Sequence, residues 1–550
     1  LNPICNHKGD RIMRWIILLL AITASAARAG SEPDLLLQQR LKAHIEFLAA
    51  DELRGRLPGT EGYNIAARYV VSQFRQLGLL PAGTGGSYFQ QVPIRQAWLE
   101  EGSASMALNR EGLSRDFEFL QEFYIKPSTG FTNTDLTAEL VFAGYGIHAP
   151  ELDYNDFSQI DVAGKIAVTL GGQPLEFPSE QGAHFGSTRE KARALAMHGA
   201  IGWITVYTPR NRRRFEWDRV RDMVGMPAMG WLQQDGTPFA VFRELKAGAM
   251  IHYTPAQILF EGAEYTLSEL LEKDEAGEAL PVFPIAGTVH LAQKSRHETI
   301  HSPNVAGVLP GSDPLLSNEY MVYTAHLDHI GELHGEGHED AINNGALDNA
   351  AGVSVMLETA RMFSESGAAR RSILFLAVTA EEKGLVGSEY FAHNPTVPIE
   401  AMVAAINLDM PLLLYDFGDV IAFGAEHSTL GETVRRAAGE FGITLTPDPF
   451  PEQNIFVRSD HYRFVQQGIP SVFLVTGPKS LDGEVDTMPI FQDFLKEHYH
   501  KPSDDLNLPI NYRAAARFTR INARAGEIIA NETKRPQWHE GDFFGTTFSR

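Results

Sequence analysis

At 550 residues, with 44% hydrophobic and 21% charged residues, the chain is long enough for two or three domains and has a globular composition without low-complexity tracts. Its formal charge of −22 disfavours nucleic acid and anionic membranes as partners and suits the retention of divalent cations. One cysteine, Cys5, excludes an internal disulfide framework.

Residues 1–12 read as upstream of a start at Met13. Arg14, the apolar "WIILLLAITA" and the small-residue "SAARA" then follow in the order of a secretory signal peptide, with cleavage expected after Ala29. The apolar stretch is short for a bilayer span, so the expected product is periplasmic or secreted, without integral membrane association. Cleavage removes Lys8, Arg11, Arg14, Arg28 and Asp10, moving the formal charge to about −25, and takes away Cys5 and with it any thiol nucleophile.

In 30–99, "LLLQQRLKAHIEFLAADEL" and "EGYNIAARYVVSQFRQLGL" carry apolar residues at helical spacing, joined by the turn "RGRLPGT", and "GGSYFQQVPI" leads into a strand. Residues 100–288 change character: "ELVFAGYGIHA", "GKIAVTL", "AIGWITVYT" and "GAMIHYT" are short strand-like runs, with one helix in "STREKARALAMHGA". This span predicts a β-rich insert with no ligand cluster of its own, acting as a cap or a brace. From 289 to 550, apolar strands alternate with helices: "NVAGVLPGSD", "EYMVYTAH", helix "NAAGVSVMLETARMF", "SILFLAVTA", "AMVAAINLD", "DVIAFG", helix "LGETVRRAAGEFG", "PSVFLVTG" and helix "NYRAAARFTRINARAGEIIA". Strands that read as continuous apolar runs between helices predict an α/β fold, a mostly parallel mixed sheet sandwiched by helices.

In such sheets sites form beyond the carboxyl ends of the strands. There "YTAHLDH" places His326 and Asp328, "AVTAEEKG" places Glu381 and Glu382, and "AINLDMP" places Asp409. Asp348 sits in a glycine-bounded turn of "NNGALDNAAG", and His498 and His500 in the loop "HYHKPSDD". Buried carboxylates at adjacent strand ends need a shared positive charge, and imidazoles plus carboxylates without cysteine suit zinc or a similar divalent ion.

The motifs "AHLDH", "NNGALDNAAG", "AEEKGLVGS", "NLDM", "SDHYRF" and "YHKPSDD", in that order within residues 320–505, resemble the zinc aminopeptidases of metallopeptidase family twenty-eight; the leading helices resemble the same family and the insert resembles a protease-associated domain. The resemblance implies two zinc ions bridged by Asp348, with His326 and Asp409 completing one and Glu382 and His500 the other. It also implies Glu381 as general base, Asp328 holding the second imidazole nitrogen of His326, and Tyr499 as a donor to the developing oxyanion. Asp460 and His461 are read as support for the ligands, His334 and His338 as a rim loop, and His393 and His498 as structural or surface residues. Leu347 departs from relatives that carry a second acidic residue there. The function so implied is an exported aminopeptidase acting on peptides. Carboxypeptidase, glutaminyl cyclase and a receptor-like binding protein are the alternatives. About fifty residues after His500 are too few for the further helical domain of glutamate carboxypeptidases, and the complete ligand set disfavours the cyclase and the receptor.

Overall fold

The computed structural model describes residues 34–213, 216–220, 224–333 and 340–549. The expected signal peptide and Cys5, and His334 and His338, lie outside the described residues. Among the described residues no helix is long and apolar enough to cross a membrane.

Helix α1 (34–48) and helix α2 (Glu61–Gln76) form where the apolar spacing predicts them. The Thr60 hydroxyl caps α2 by accepting from the Tyr63 N–H. Tyr63, Ala66, Ala67, Val70 and Phe74 make one buried stripe along it. That stripe packs on a sheet built from β1 (Phe89–Leu99), β2 (Val282–Leu309), β3 (Tyr320–His326), β4 (Ser372–Val378), β5 (Met402–Leu408), β6 (Asp419–Phe423) and β7 (Ser471–Thr476).

The order across the sheet is β1, β2, β4, β3, β5, β7, β6. Strands β4, β3, β5 and β7 run parallel, and β1, β2 and β6 pair antiparallel with their neighbours. The apolar runs are continuous because both faces are covered. On β4, Ile373, Phe375 and Ala377 join the core shared with the long helices, including α3 (Gly352–Ser366) and α4 (Tyr512–Asn531), while Leu374, Leu376 and Val378 join a second core with Phe391 and Phe464.

The insert has its own core, from Met106 to Leu291. Its sheet runs Leu113–Asp116, Ser105–Arg110, the first half of β2, Asn133–Ala143, Ile166–Leu170, Gly202–Tyr207, Ala247–His252 and Phe123–Tyr124. Sequence patterning misses the hairpin 105–116 and the helix Leu267–Ala276, although Thr266 and Glu269 form a capping box at that helix. The insert and the catalytic domain meet without a linker at 289: residues 282–294 of β2 pair in the insert sheet and 295–309 in the catalytic sheet. Residues 228–231, which fall within the insert by sequence, pair with 94–97 of β1.

Polar contacts fasten the two bodies along the seam. Arg189 Nη2 of the insert donates to Glu389 Oε2 at 2.9 Å, the Trp231 indole donates to the same oxygen at 3.0 Å, and Arg463 stands 3.4 Å from Oε1. Burial opposes ionisation of Glu389, but the two guanidiniums hold its carboxyl below the usual range. His427 is engaged by Glu180 of the insert on one ring nitrogen and by Asp542 on the other.

Glu358 of α3 anchors α1. Its buried carboxylate meets Arg40 Nε at 2.7 Å, Arg361 Nε at 3.0 Å and His44 Nε2 at 3.2 Å. Burial alone would raise its pKa, but these partners pull it down to about 2. A carboxyl depressed on folding adds stability that is fully present above the ordinary glutamate pKa and is lost as pH falls toward the folded value. Chemical denaturation should therefore show Glu358→Gln less stable than the parent by ~2–3 kcal/mol at pH 7, with the gap closing between about pH 4.5 and 2.

Candidate metal centre

Three parallel strands end at one place. β3 ends in His326, β4 is followed by Glu381 and Glu382, and β5 by Asp409. Asp348 enters from the irregular turn Ala346–Ala351 that precedes α3, and His500 from the loop before α4. The backbone turns sharply to aim these groups. Ala380, just before Glu381, has φ 55°, Met410, just after Asp409, has φ 39°, and His500 itself has φ 58°. Left-handed backbone at non-glycine residues is uncommon and costs ~1–3 kcal/mol each, and it gathers at functional sites.

Asp348 is the hub. His326 Nε2 lies 3.2 Å from Asp348 Oδ1 and 3.0 Å from Asp409 Oδ1. His500 Nε2 lies 3.2 Å from Asp348 Oδ2 and 3.1 Å from Glu382 Oε2. Two nests result, each with one imidazole and two carboxylate oxygens, sharing Asp348. A tetrahedron of zinc bonds ~2.0–2.1 Å long has edges of about 3.3–3.4 Å, so these separations suit one divalent ion per nest with a coordination position left over. The charge fits as well, because three ligand carboxylates and Glu381 converge in a buried space.

Burial opposes a proton on His326, but Asp409 and Glu381 hold its imidazole well above the usual value, and Glu382 and Asp348 lift His500 to about 9. Burial and the neighbouring Asp409 and Glu382 push the Glu381 carboxyl well above its ordinary range. Glu381, unlike Glu382, faces the cavity beside the nests, together with His326, Asp348, Asp409, Tyr499 and His500.

The Asp328 carboxylate does not hold His326. The second nitrogen of that ring, Nδ1, meets the main-chain carbonyl of Asp328 at 3.1 Å, because the chain doubles back immediately after β3. The carboxylate is committed elsewhere. It accepts from the N–H groups of Glu381 at 3.1 Å and Glu382 at 3.4 Å, fixing the loop that carries both glutamates, and burial lifts its pKa to about 7. Tyr499 stacks on His500 with centroids 3.8 Å apart, and burial pushes its phenol up. His498 faces Ser503, with its Nδ1 3.0 Å from the serine hydroxyl, and His393 lies against Trp231 and Phe239 of the insert, away from the nests.

Four residues that sequence reasoning leaves unassigned complete the centre. His329, within "AHLDH", holds the other oxygen of Glu382 from Nδ1 at 2.7 Å. The Ser459 hydroxyl donates to Asp409 Oδ2 at 2.6 Å. In the same "SDH" stretch Asp460 and His461 are fully buried, and burial raises the Asp460 carboxyl to about 7 and lowers the His461 imidazole to about 3. Asp504, within "HKPSDD", accepts from the Leu347 N–H at 2.9 Å and the Asp348 N–H at 3.0 Å, gripping the backbone of the hub. Arg56, from "RGRLPGT", is 1% exposed and donates to the carbonyls of Leu327 at 2.9 Å, Asn344 at 2.6 Å and Gly345 at 3.2 Å, tying the loop after β3 to the loop of Asp348. Burial lowers its pKa to about 10, so a fixed cation lies beneath the centre at neutral pH. Gly55 lets it approach, since a Cβ there would stand 2.6 Å from the carbonyl oxygens of Gly331 and Asn343.

The cavity that contains the nests is about 510 Å³, with a buried apolar floor of Leu412, Ile421, Phe423, Phe473 and Val475 and a more exposed mouth that includes Arg219 and Arg458. That volume falls in the ~300–1,000 Å³ range of small-ligand sites.

Residues 304–525, which span this centre, match the model of Peptidase family M28. This stretch of the chain is a family M28 peptidase domain. Among curated proteins, the chain is 27% identical over 268 residues to the probable leucine aminopeptidase 2 of Aspergillus fumigatus, covering 46% of this chain and 50% of that one. It is 27% identical over 241 residues to the aminopeptidase YwaD of Bacillus subtilis, covering 42% and 46%. It therefore spans about half the length of these relatives. Among solved structures, the aminopeptidase from Aneurinibacillus sp. strain AM-1 superposes with a TM-score of 0.53 at 21% identity, covering 90% of this chain and 95% of that one, a shared fold that takes in the insert as well as the M28 domain.

Ligand imidazoles must be neutral to bind metal. Loading metal-free protein with two equivalents of zinc at pH 7 should thus release about two protons, read by calorimetry in buffers of different ionisation enthalpy. Zinc affinity should climb about tenfold per pH unit for the nest containing His500 up to its proton affinity. Removing a group that orients a ligand, as in Ser459→Ala, should weaken zinc binding by ~10–100-fold while the fold persists.

Proposed function

We propose that the chain is an exported aminopeptidase that uses two zinc ions to hydrolyse amino-terminal residues from peptides. The convergence of His326, Asp348, Asp409, Glu382 and His500 on two nests, with Glu381 facing the cavity beside them, carries the reading. The three relatives named above are aminopeptidases by description, and the leader at residues 13–29 supports export.

Zinc, when bound, polarises the substrate carbonyl and makes water acidic enough to serve as nucleophile at neutral pH. The chain's own groups do the rest. Glu382 has one oxygen on the nest and the other on His329, so it has no lone pair placed for a proton in transit. Glu381 faces the cavity and is committed to neither nest, so its carboxylate is placed to take a proton from the attacking water and deliver it to the leaving amine. Asp328 holds both glutamate N–H groups, so the ligand and the base keep their relative placement through the cycle. The Tyr499 phenol, kept neutral by burial at the cavity wall, is the group able to donate to the carbonyl oxygen as charge develops there. The apolar floor receives the side chain of the first residue, favouring leucine or phenylalanine over charged residues.

Glu381→Ala should keep two equivalents of zinc by elemental analysis while turnover falls by about 100-fold or more. Loss of both ions in this variant would refute the division of labour between the glutamates. Acetylating the amino terminus of a good peptide substrate should abolish cleavage, and cleavage that survives acetylation would exclude an aminopeptidase.

A further inference from the structure

The insert forms one side of the cavity mouth. Its short turns Asn211–Arg213 and Trp217–Val220 bring Arg212, Glu216 and Arg219 to the lining of the cavity, which they share with Arg458 and Lys496 of the catalytic domain. Two of these cations are neutralised locally, Arg212 by Glu216 at 2.9 Å and Lys496 by Glu497 at 2.6 Å. The other two meet main-chain oxygens instead. Arg219 Nη2 stands 3.5 Å from the Tyr499 carbonyl and Arg458 Nη1 donates to the Gln453 carbonyl at 3.2 Å, and among the described residues neither pairs with a carboxylate. In a chain of formal charge −22, two guanidiniums without a carboxylate partner at the mouth of a cleft reverse the prevailing sign where a substrate enters.

Their position bears on what they can read. The carbonyl that Arg219 meets belongs to Tyr499, next in the chain to the nest residue His500, and both arginines line the cavity that holds the nests, whereas a bound dipeptide extends ~7 Å over its two residues. The apolar floor accounts for the first side chain of such a peptide, and the rim is what the second residue meets. A guanidinium is planar, weakly hydrated and matched to a carboxylate by two parallel hydrogen bonds, and a pair formed in a partly enclosed cleft is screened less than one on an open surface.

We propose that Arg219 of the insert, with Arg458 at the mouth, recognises a carboxylate on the second residue of a bound peptide, either its chain terminus or its side chain. The insert is then a specificity element that directs the enzyme to dipeptides and to peptides acidic at the second position. This rests on the aminopeptidase reading above.

The test uses the zinc-loaded full chain and three substrates: Leu-Gly, Leu-Gly amide and Leu-Asp amide. Leu-Gly should exceed its amide in kcat/KM by about tenfold or more, the worth of one charge-assisted hydrogen-bonded pair. If Leu-Asp amide recovers the advantage, a side-chain carboxylate serves, and if it does not, the chain terminus is what is read. In Arg219→Gln the ratio of Leu-Gly to Leu-Gly amide should fall toward one, and in Arg219→Lys it should be intermediate. Wild-type protein alone gives a second reading, because raising sodium chloride from about 0.05 to 0.5 M should shrink the ratio as the ion pair is screened. A wild-type ratio within twofold of one, or an unchanged ratio in Arg219→Gln, overturns the proposal. If zinc-loaded protein cleaves none of the three peptides, the aminopeptidase reading itself fails, a distinct result.

Discussion

Asp348 gives one oxygen to each of two imidazoles, and the surrounding architecture serves to make that sharing possible. A single carboxylate can bridge two nests only if its backbone cannot drift. Asp504 holds it by two N–H groups, and Arg56 binds the carbonyls of the loops on either side. The cost of gathering so many carboxylates out of water is high unless cations balance them. Arg56 contributes one fixed charge, and divalent ions in the nests would contribute four more.

The parallel strands set the scale of this arrangement. β4, β3 and β5 are neighbours, and adjacent strands stand ~4.8 Å apart, so groups on their ends start within reach of one another before any loop is considered. The loops then make fine corrections through residues in left-handed backbone. The sheet is buried on both faces, which gives it the stiffness that ligand placement within a few tenths of an ångström demands.

The sequence makes the sheet, its long helices and the ligand-bearing strand ends readable, because continuous apolar runs ending in His or a carboxylate are a signal carried by single positions. It does not make the supporting groups readable in the same way. His329 and Asp504 stand inside the motifs "AHLDH" and "YHKPSDD", yet their work depends on which way a loop returns. Arg56 looks like a turn residue until three distant carbonyls are seen to close on it. Asp328 shows the converse, since its place beside His326 is right and the atom that touches the ring is its carbonyl. The capping box of Thr266 and Glu269 is written in local sequence, whereas the passage of β2 from one sheet to the other leaves no trace in alternation.

That passage has a mechanical meaning. Because 28 residues of β2 run through both sheets without a break, the two bodies share a common beam. Any change in the width of the cleft would have to bend or twist this shared strand. Variation in the short turns around Arg219 can retune which molecules enter, while the chemistry below is left undisturbed.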